Sequence, residues 1–263
     1  MTCLPHKGPA LRAHRCLRFA LVLISLATAG VSAQTPASVA DVDRVFRDIY
    51  ELRASRKDAA ARMRSAAVFL KKHTAGMTAT AADRSSWVFP LRGYGPAAIG
   101  GRRGEGYRAA ESYDFFDGNS HGGHPAHDVF IRDRDYDDKD DRTKQPVDVL
   151  SITSGVVVCV NREWTPDSMD SKRRQSIRGG KYVWVYDPVS DGLMYYAHLR
   201  DVSCVIGQFV RPGDLLGTVG RTGKNAFPHR SPTHLHLMFL AMNNGDPRPE
   251  DIFTNLEKAT LQR

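Results

Sequence analysis

From Trp87 onward the chain is a succession of short apolar runs separated by Gly, Pro and Asp. The runs are Val147–Ile152, Gly155–Val160, Lys181–Tyr186, Leu193–Leu199, Val202–Val210, Leu215–Val219 and Leu235–Ala241. Runs of this length bounded by turn residues read as strands. No helical pattern lies between them, and parallel strands need long crossover connections, so a parallel α/β sheet is disfavoured. The pattern predicts a mainly β fold, a compact antiparallel β sandwich or barrel-like domain.

Residues 36–74 have a different texture. Val42, Val45, Phe46, Ile49 and Leu52 recur every three to four residues, with Arg44, Arg47, Asp48, Glu51 and Arg53 between them. This spacing predicts an amphipathic helix that starts at Thr35-Pro36 or Ser38. Met63, Ala67, Val68 and Leu70 continue it after a break near Ser55, and Gly76 is a plausible stop. No residue of this segment carries an evident chemistry.

The first 33 residues read as a targeting segment. Lys7, Arg12, Arg15 and Arg18 supply positive charge, no acid is present, Phe19–Ala29 is apolar, and small residues surround Ala33. That is the order of a secretory signal peptide, and the apolar run is shorter than the roughly 20 residues of a membrane span. The expected organisation is a signal peptide over 1–33, a helical segment over 34–85, a β domain over 86–245 and a tail over 246–263. The exported protein is expected in the periplasm or outside the cell, without stable membrane insertion.

The whole chain of 263 residues has 37 Lys and Arg against 29 Asp and Glu. Removing the four basic residues of the leader leaves a mild excess. The densest basic cluster, Lys172-Arg173-Arg174, has no interleaved aromatics, so nucleic-acid binding is not indicated. A mildly basic exported protein is still drawn towards an anionic cell wall. Beyond the leader two cysteines remain, Cys159 and Cys204. In an oxidising compartment an even pair suggests one disulfide, though both could instead be separate buried residues. Asp133-x-Asp135-x-Asp137 imitates the opening of a calcium loop, but Asp138 and Lys144 stand where that loop has Gly and Glu, so the acidic run reads as a solvated loop.

The chemistry lies in the histidines. Six of the eight beyond the leader fall in or near three short motifs, Gly123-His124-Pro125-Ala126-His127-Asp128, Tyr196-Ala197-His198-Leu199 and Thr233-His234-Leu235-His236-Leu237. Side chains alternate faces along a strand, so His234 and His236 share one face while Leu235, Leu237 and Phe239 take the other. By the same alternation Met194, Tyr196 and His198 share a parity opposite to Leu193, Tyr195, Ala197 and Leu199, which puts His198 on a polar face. His124 and Asp128 are four apart, a spacing compatible with a shared face. Two imidazoles and one carboxylate suit Zn²⁺ with a position left open for water. Histidines left over can act as acid–base groups. No HExxH sequence is present to supply a glutamate base.

Residues from about 88 to 240 resemble the lysostaphin-like zinc endopeptidases that cut peptidoglycan peptides. The resembling pieces are GGHPAHD, SGVVV, KYVWVYD, YYAHL, VIGQFVRPGDLLGTVGRTG and THLHLMF. The resemblance implies zinc ligands at His124, Asp128 and His236, and catalytic histidines at His198 and His234. It assigns His127 no role. It also implies an antiparallel β fold with the metal in a groove floored by the sheet. Ala126 stands where the family commonly has Gly. The segments Asn161–Gly180 and Lys224–Thr233 are longer than usual, so substrate preference does not carry over.

The expected function is zinc-dependent hydrolysis of peptide bonds in peptidoglycan stem peptides or crosslinks. Two other readings are a relative that activates a cell-wall amidase without catalysis and a general secreted metalloprotease. All five expected residues are present, which weighs against the former. The leader predicts cleavage between Ala33 and Gln34. N-terminal sequencing of the exported protein should begin at Gln34, and a chain still starting at Met1 would refute the reading.

Overall fold

A computed structural model describes residues 35–76, 87–100, 106–108, 112–117, 123–166 and 176–263, and the leader over 1–33 lies outside them. Helix α1 spans Val39–Tyr50 and helix α2 spans Arg56–Thr74. Ser38 caps α1 in a reciprocal arrangement with Asp41, and the Ser55 hydroxyl accepts from the Asp58 amide at the start of α2. These caps satisfy orphan amides of the first turn and fix the break near Ser55. Leu52, with φ of 52°, turns the chain between the helices. Among the described residues no helix is long and apolar enough to cross a membrane.

Among the described residues nine strands form one antiparallel sheet: β1 (His127–Phe130), β2 (Asp148–Leu150), β3 (Gly155–Asn161), β4 (Lys181–Asp187), β5 (Gly192–Val202), β6 (Phe209–Val210), β7 (Leu215–Val219), β8 (His234–Ala241) and β9 (Arg248–Glu250). The order is β1-β8-β5-β4-β3-β6, with β7 joining β2 to β5, and β9 adding to β8. The predicted fold class is therefore observed. One expectation needs correction: Val202–Val210 is not a single strand. β5 runs on to Val202, and only Phe209–Val210 pairs again, because the intervening residues turn at Gly207, with φ of 82°.

The two sheet faces bury two separate apolar clusters. One holds Val157, Val183, Met194, Tyr196, Leu235, Leu237 and Phe239, closed over by Phe89, Leu91, Val149 and Leu216. The other holds Tyr182, Trp184, Tyr195, Ala197, Met238 and Leu240, and is covered by Val42, Phe46 and Ile49 of α1 and Met63 and Leu70 of α2. The helices thus share a core with the sheet. Phe46 stacks edge-on to Phe115 at 5.8 Å and lies 5.6 Å from Trp184. Each such buried side chain contributes roughly 1.5–3 kcal/mol through the apolar surface removed from water.

The acidic run is not simply solvated. Asp133 and Asp140 are buried. Asp133 accepts from the amides of Asp137 and Asp138 and from the Thr233 hydroxyl. Asp140 accepts from Tyr94, Arg132 and the amides of Arg142 and Thr143. Asp133, Asp135 and Asp141 converge closely enough to suit a cation, but both oxygens of Asp133 are already engaged in folding the loop.

The disulfide expectation is corrected by the two faces. Cys159 lies in the cluster beneath the helices and Cys204 in the opposite one, and both thiols are free and buried. Each acts as a small apolar residue, with burial pushing its thiol pKa above the ordinary range. Protein beginning at Gln34 should therefore show two reactive thiols when denatured without reductant and essentially none when native. A count of zero in denaturant would establish a disulfide after all.

Candidate metal centre

Three neighbouring strands bring the first and third motifs together. Asp128 on β1 pairs with His236 on β8, and His236 pairs with Ala197 on β5. Directly opposed residues project from the same face, so this register alone places the Asp128 carboxylate against the His236 ring. His124 precedes β1 and is held there by a bridge to Arg108. Its Nδ1–H donates to the Gly106 carbonyl at 3.0 Å, which turns Nε2 towards the site. Nε2 of His124 lies 3.3 Å and Nδ1 of His236 lies 2.9 Å from Oδ1 of Asp128.

His234 follows the predicted parity and shares the face of His236. Its Nδ1–H donates to the Pro232 carbonyl at 2.7 Å, and its Nε2 lies 3.5 Å from Asp128 Oδ1. His198 reaches the same place by a route that strand alternation misses. Simple parity would put it with Met194 and Tyr196, whose side chains fill the opposite core. Tyr196 and Leu199 of β5 face Val183 and Lys181 of β4, so two residues on β5 oppose one on β4. This is a β-bulge. At the bulge His198 adopts a φ of 63° and turns to the site, where its ring lies 4.9 Å from His234 and 5.6 Å from His236. Leu199 then falls on the face of Tyr196. The His198 Nδ1–H donates to the Thr222 carbonyl at 2.8 Å.

All five residues implied by the motifs thus converge on one cleft of about 200 Å³, whose wall also includes Tyr50, Tyr195 and Ser231. Two ligand sets have donor atoms within 4.8 Å of one another, His124–Asp128–His236 and His198–His234–His236. Burial raises the Asp128 carboxyl, but attraction to His234 and hydrogen bonds from His124 and His236 outweigh it and hold the group well below the usual carboxylate range. Burial pushes His198 and His234 down. His124 is also opposed by burial, yet its contact with Asp128 raises it. An anionic carboxylate beside two imidazoles, one of them with its tautomer set by the Gly106 carbonyl, is a donor set that fits Zn²⁺.

His127 stands apart from this cluster. It is buried beside Tyr107 and Phe253, with Nε2 3.0 Å from Asp251. The motif reading missed Arg221 altogether. This buried guanidinium donates to the carbonyls of Ala226, Pro228 and Ser231 and to the Thr233 hydroxyl, and lies 4.3 Å from the Tyr136 ring centre. Thr233 in turn donates to Asp133 at 2.6 Å. Arg221 therefore pins the long segment ahead of His234 to the acidic loop. Gly180 and Gly223, both with positive φ, let the neighbouring backbones meet where Cβ atoms would collide with main chain. A lone Arg between two glycines carries no sequence signal for such a task.

Among curated protein sequences none matches this chain. The chain resembles solved structures at low identity. The catalytic domain of lysostaphin from Staphylococcus simulans is 20% identical, with 60% of this chain and 91% of that one covered and a TM-score of 0.36. The lytM protein of Ruminococcus gnavus is 22% identical, with 68% and 63% covered and a TM-score of 0.40. A zinc containing peptidase from Vibrio cholerae is 18% identical, with 67% and 40% covered and a TM-score of 0.37. The sequence profile of peptidase family M23 matches residues 140–248, a stretch that includes His198, His234 and His236 and begins after Asp128. Residues 140–248, which carry the second and third histidine motifs, are thus similar to peptidase family M23.

Proposed function

We propose that the protein is a zinc-dependent, exported peptidase that hydrolyses peptide bonds in peptidoglycan stem peptides or crosslinks. The observation that carries this reading is the convergence of His124, Asp128 and His236 in one cleft beside two further histidines, His198 and His234. His124, Asp128 and His236 would hold the metal, since this set includes the carboxylate that offsets its charge. Bound Zn²⁺ supplies Lewis acidity at a scissile carbonyl and lowers the pKa of water to about 7.

His198 and His234 would do the proton work. Each has Nδ1–H committed to a backbone carbonyl, so each presents a lone pair on Nε2. Either nitrogen can accept a proton from the attacking water as that oxygen bonds to the peptide carbon. The resulting imidazolium then gives the proton to the departing amine nitrogen as the C–N bond breaks. The acyl half keeps the hydroxyl and the amine half gains the hydrogen.

His236→Ala should lose both bound zinc and hydrolysis, read by metal analysis and mass spectrometry of digested muropeptides. His198→Ala should keep zinc and lose turnover by on the order of 10²-fold or more. A zinc-loaded His198→Ala protein with near-normal cleavage would leave this histidine a structural role only.

Arg221 serves this reading as a positioning residue for His234. Arg221→Lys keeps the charge but cannot reach several carbonyls at once. It should retain zinc and KM while kcat falls roughly 10-fold, the pattern of a misplaced proton-transfer group. Arg221→Ala, which strands buried carbonyls, should also destabilise the fold by on the order of 3 kcal/mol. Equal kcat in Arg221→Lys and the unaltered protein would dismiss the positioning role.

A further inference from the structure

One charged residue of the cleft has no task in the proposed chemistry. Arg178, from the long segment over 161–180, lines the cleft with Asn225 and Ser231 of the other long segment, 224–233. Among the described lining residues Arg178 is the one Lys or Arg, and Asp128 is the one acid. Asp128 is taken up by His124, His234 and His236. The Arg178 side chain is exposed, and among the described residues its guanidinium has no hydrogen bond or ion pair.

The guanidinium is open to a ligand, but its attachment to the fold is fixed. Arg178 lies in the short helix α3 (Ser176–Gly179). The Asn161 side-chain amide donates to the Gly180 carbonyl at 2.9 Å and closes the segment at its base. A Cβ on Gly179 would collide with the Tyr195 hydroxyl, and one on Gly223 with the Arg178 carbonyl. The Lys181 amide donates to the Thr222 hydroxyl at 2.9 Å, and the Thr222 carbonyl accepts the Nδ1–H of His198. The main chain of Arg178 is therefore packed against the residues that aim His198. A cation held in this way gives up less freedom on binding than one on a loose loop.

The surroundings have the same sign. The 161–180 segment has more Lys and Arg than Asp and Glu, and 224–233 has Lys224 and Arg230 with no acid. A cleft walled by one sign of charge draws ligands of the other. The backbone amides of a peptide are neutral, so the peptide group that answers a guanidinium is a carboxylate, whose two oxygens match the guanidinium fork. We propose that Arg178 is a specificity-determining residue that binds a carboxylate of the substrate, so that the cleft selects acidic peptides. The inference rests on the peptidase reading and names its substrate class. The carboxylate belongs to the chain end or to a side chain, and the test separates the two.

The test uses synthetic stem peptides in which the terminal and side-chain carboxylates are replaced one at a time by carboxamides. Binding is measured by calorimetry on His198→Ala, with zinc added and without, and hydrolysis by mass spectrometry on the zinc-loaded protein. One replacement should weaken binding and raise KM about 10-fold with kcat little changed, as for a lost charge-assisted hydrogen bond, and its position identifies the carboxylate that is held. The difference should shrink at high salt, because Arg178 is exposed. Arg178→Gln should bind that acid and its amide equally while keeping zinc content and melting temperature. Arg178→Glu should prefer the amide. Arg230→Gln, which removes a charge from the other long segment, should keep the full discrimination. Equal binding of every form by the unaltered protein, absence of binding by any peptide, undiminished discrimination in Arg178→Gln, or an equal loss in Arg230→Gln would overturn the assignment. Carboxylate-selective binding that depends on Arg178, without any hydrolysis, would leave the assignment standing and remove the peptidase reading. Hydrolysis indifferent to every amidation would do the reverse.

Discussion

The arrangement depends on one ionised carboxylate held largely out of water. Asp128 could be offset by a lysine or arginine, as most sheltered acids are. Among the described residues its ion-pair partners are instead three imidazoles, those of His124, His234 and His236. An imidazole offsets charge only in proportion to its protonation, so such a cluster is poorly balanced by protein groups alone. A divalent cation would complete it. The strand pairing of Asp128 with His236 fixes the two donors least able to move, and the rest of the cluster is built around that pair.

The supporting groups come from separate parts of the chain, and each uses backbone carbonyls to aim a ring. Gly106, Thr222 and Pro232 accept from His124, His198 and His234 respectively. Main-chain acceptors are strong and have little freedom to rearrange, so tautomer and ring orientation are set before any ligand arrives. Arg221, Thr233 and Asp133 extend the same logic outward, joining the segment ahead of β8 to the acidic loop. The function proposed here thus rests on an order of fixed dipoles as much as on the five side chains.

Much of this was legible in the sequence, and the exceptions have physical causes. Strand-length runs and their turns located most of the sheet because a strand declares itself locally. His234 and His236 obeyed alternation because β8 is regular. His198 did not, since a bulge is a relation between two strands and leaves no mark on either one. The amphipathic pattern of 39–50 announced a buried face but could not say that the covering surface would be the histidine-bearing side of the sheet. The cysteine pair misled because parity of number says nothing about which face each thiol takes. The acidic run looked solvated because the donors that bury Asp133 and Asp140 include distant Tyr94 and Thr233.

The bulge at His198 has a consequence for how this protein trades stability against activity. A non-glycine residue with φ of 63° occupies a region that costs of order 1–3 kcal/mol, and the ring is also buried away from the water that would solvate its charged form. Glycine would relieve both burdens. Folding alone therefore favours losing this imidazole, and under the proposed function the position is held by what the side chain does in the cleft. Screening for more stable variants of this protein without screening for turnover would tend to select against its own chemistry.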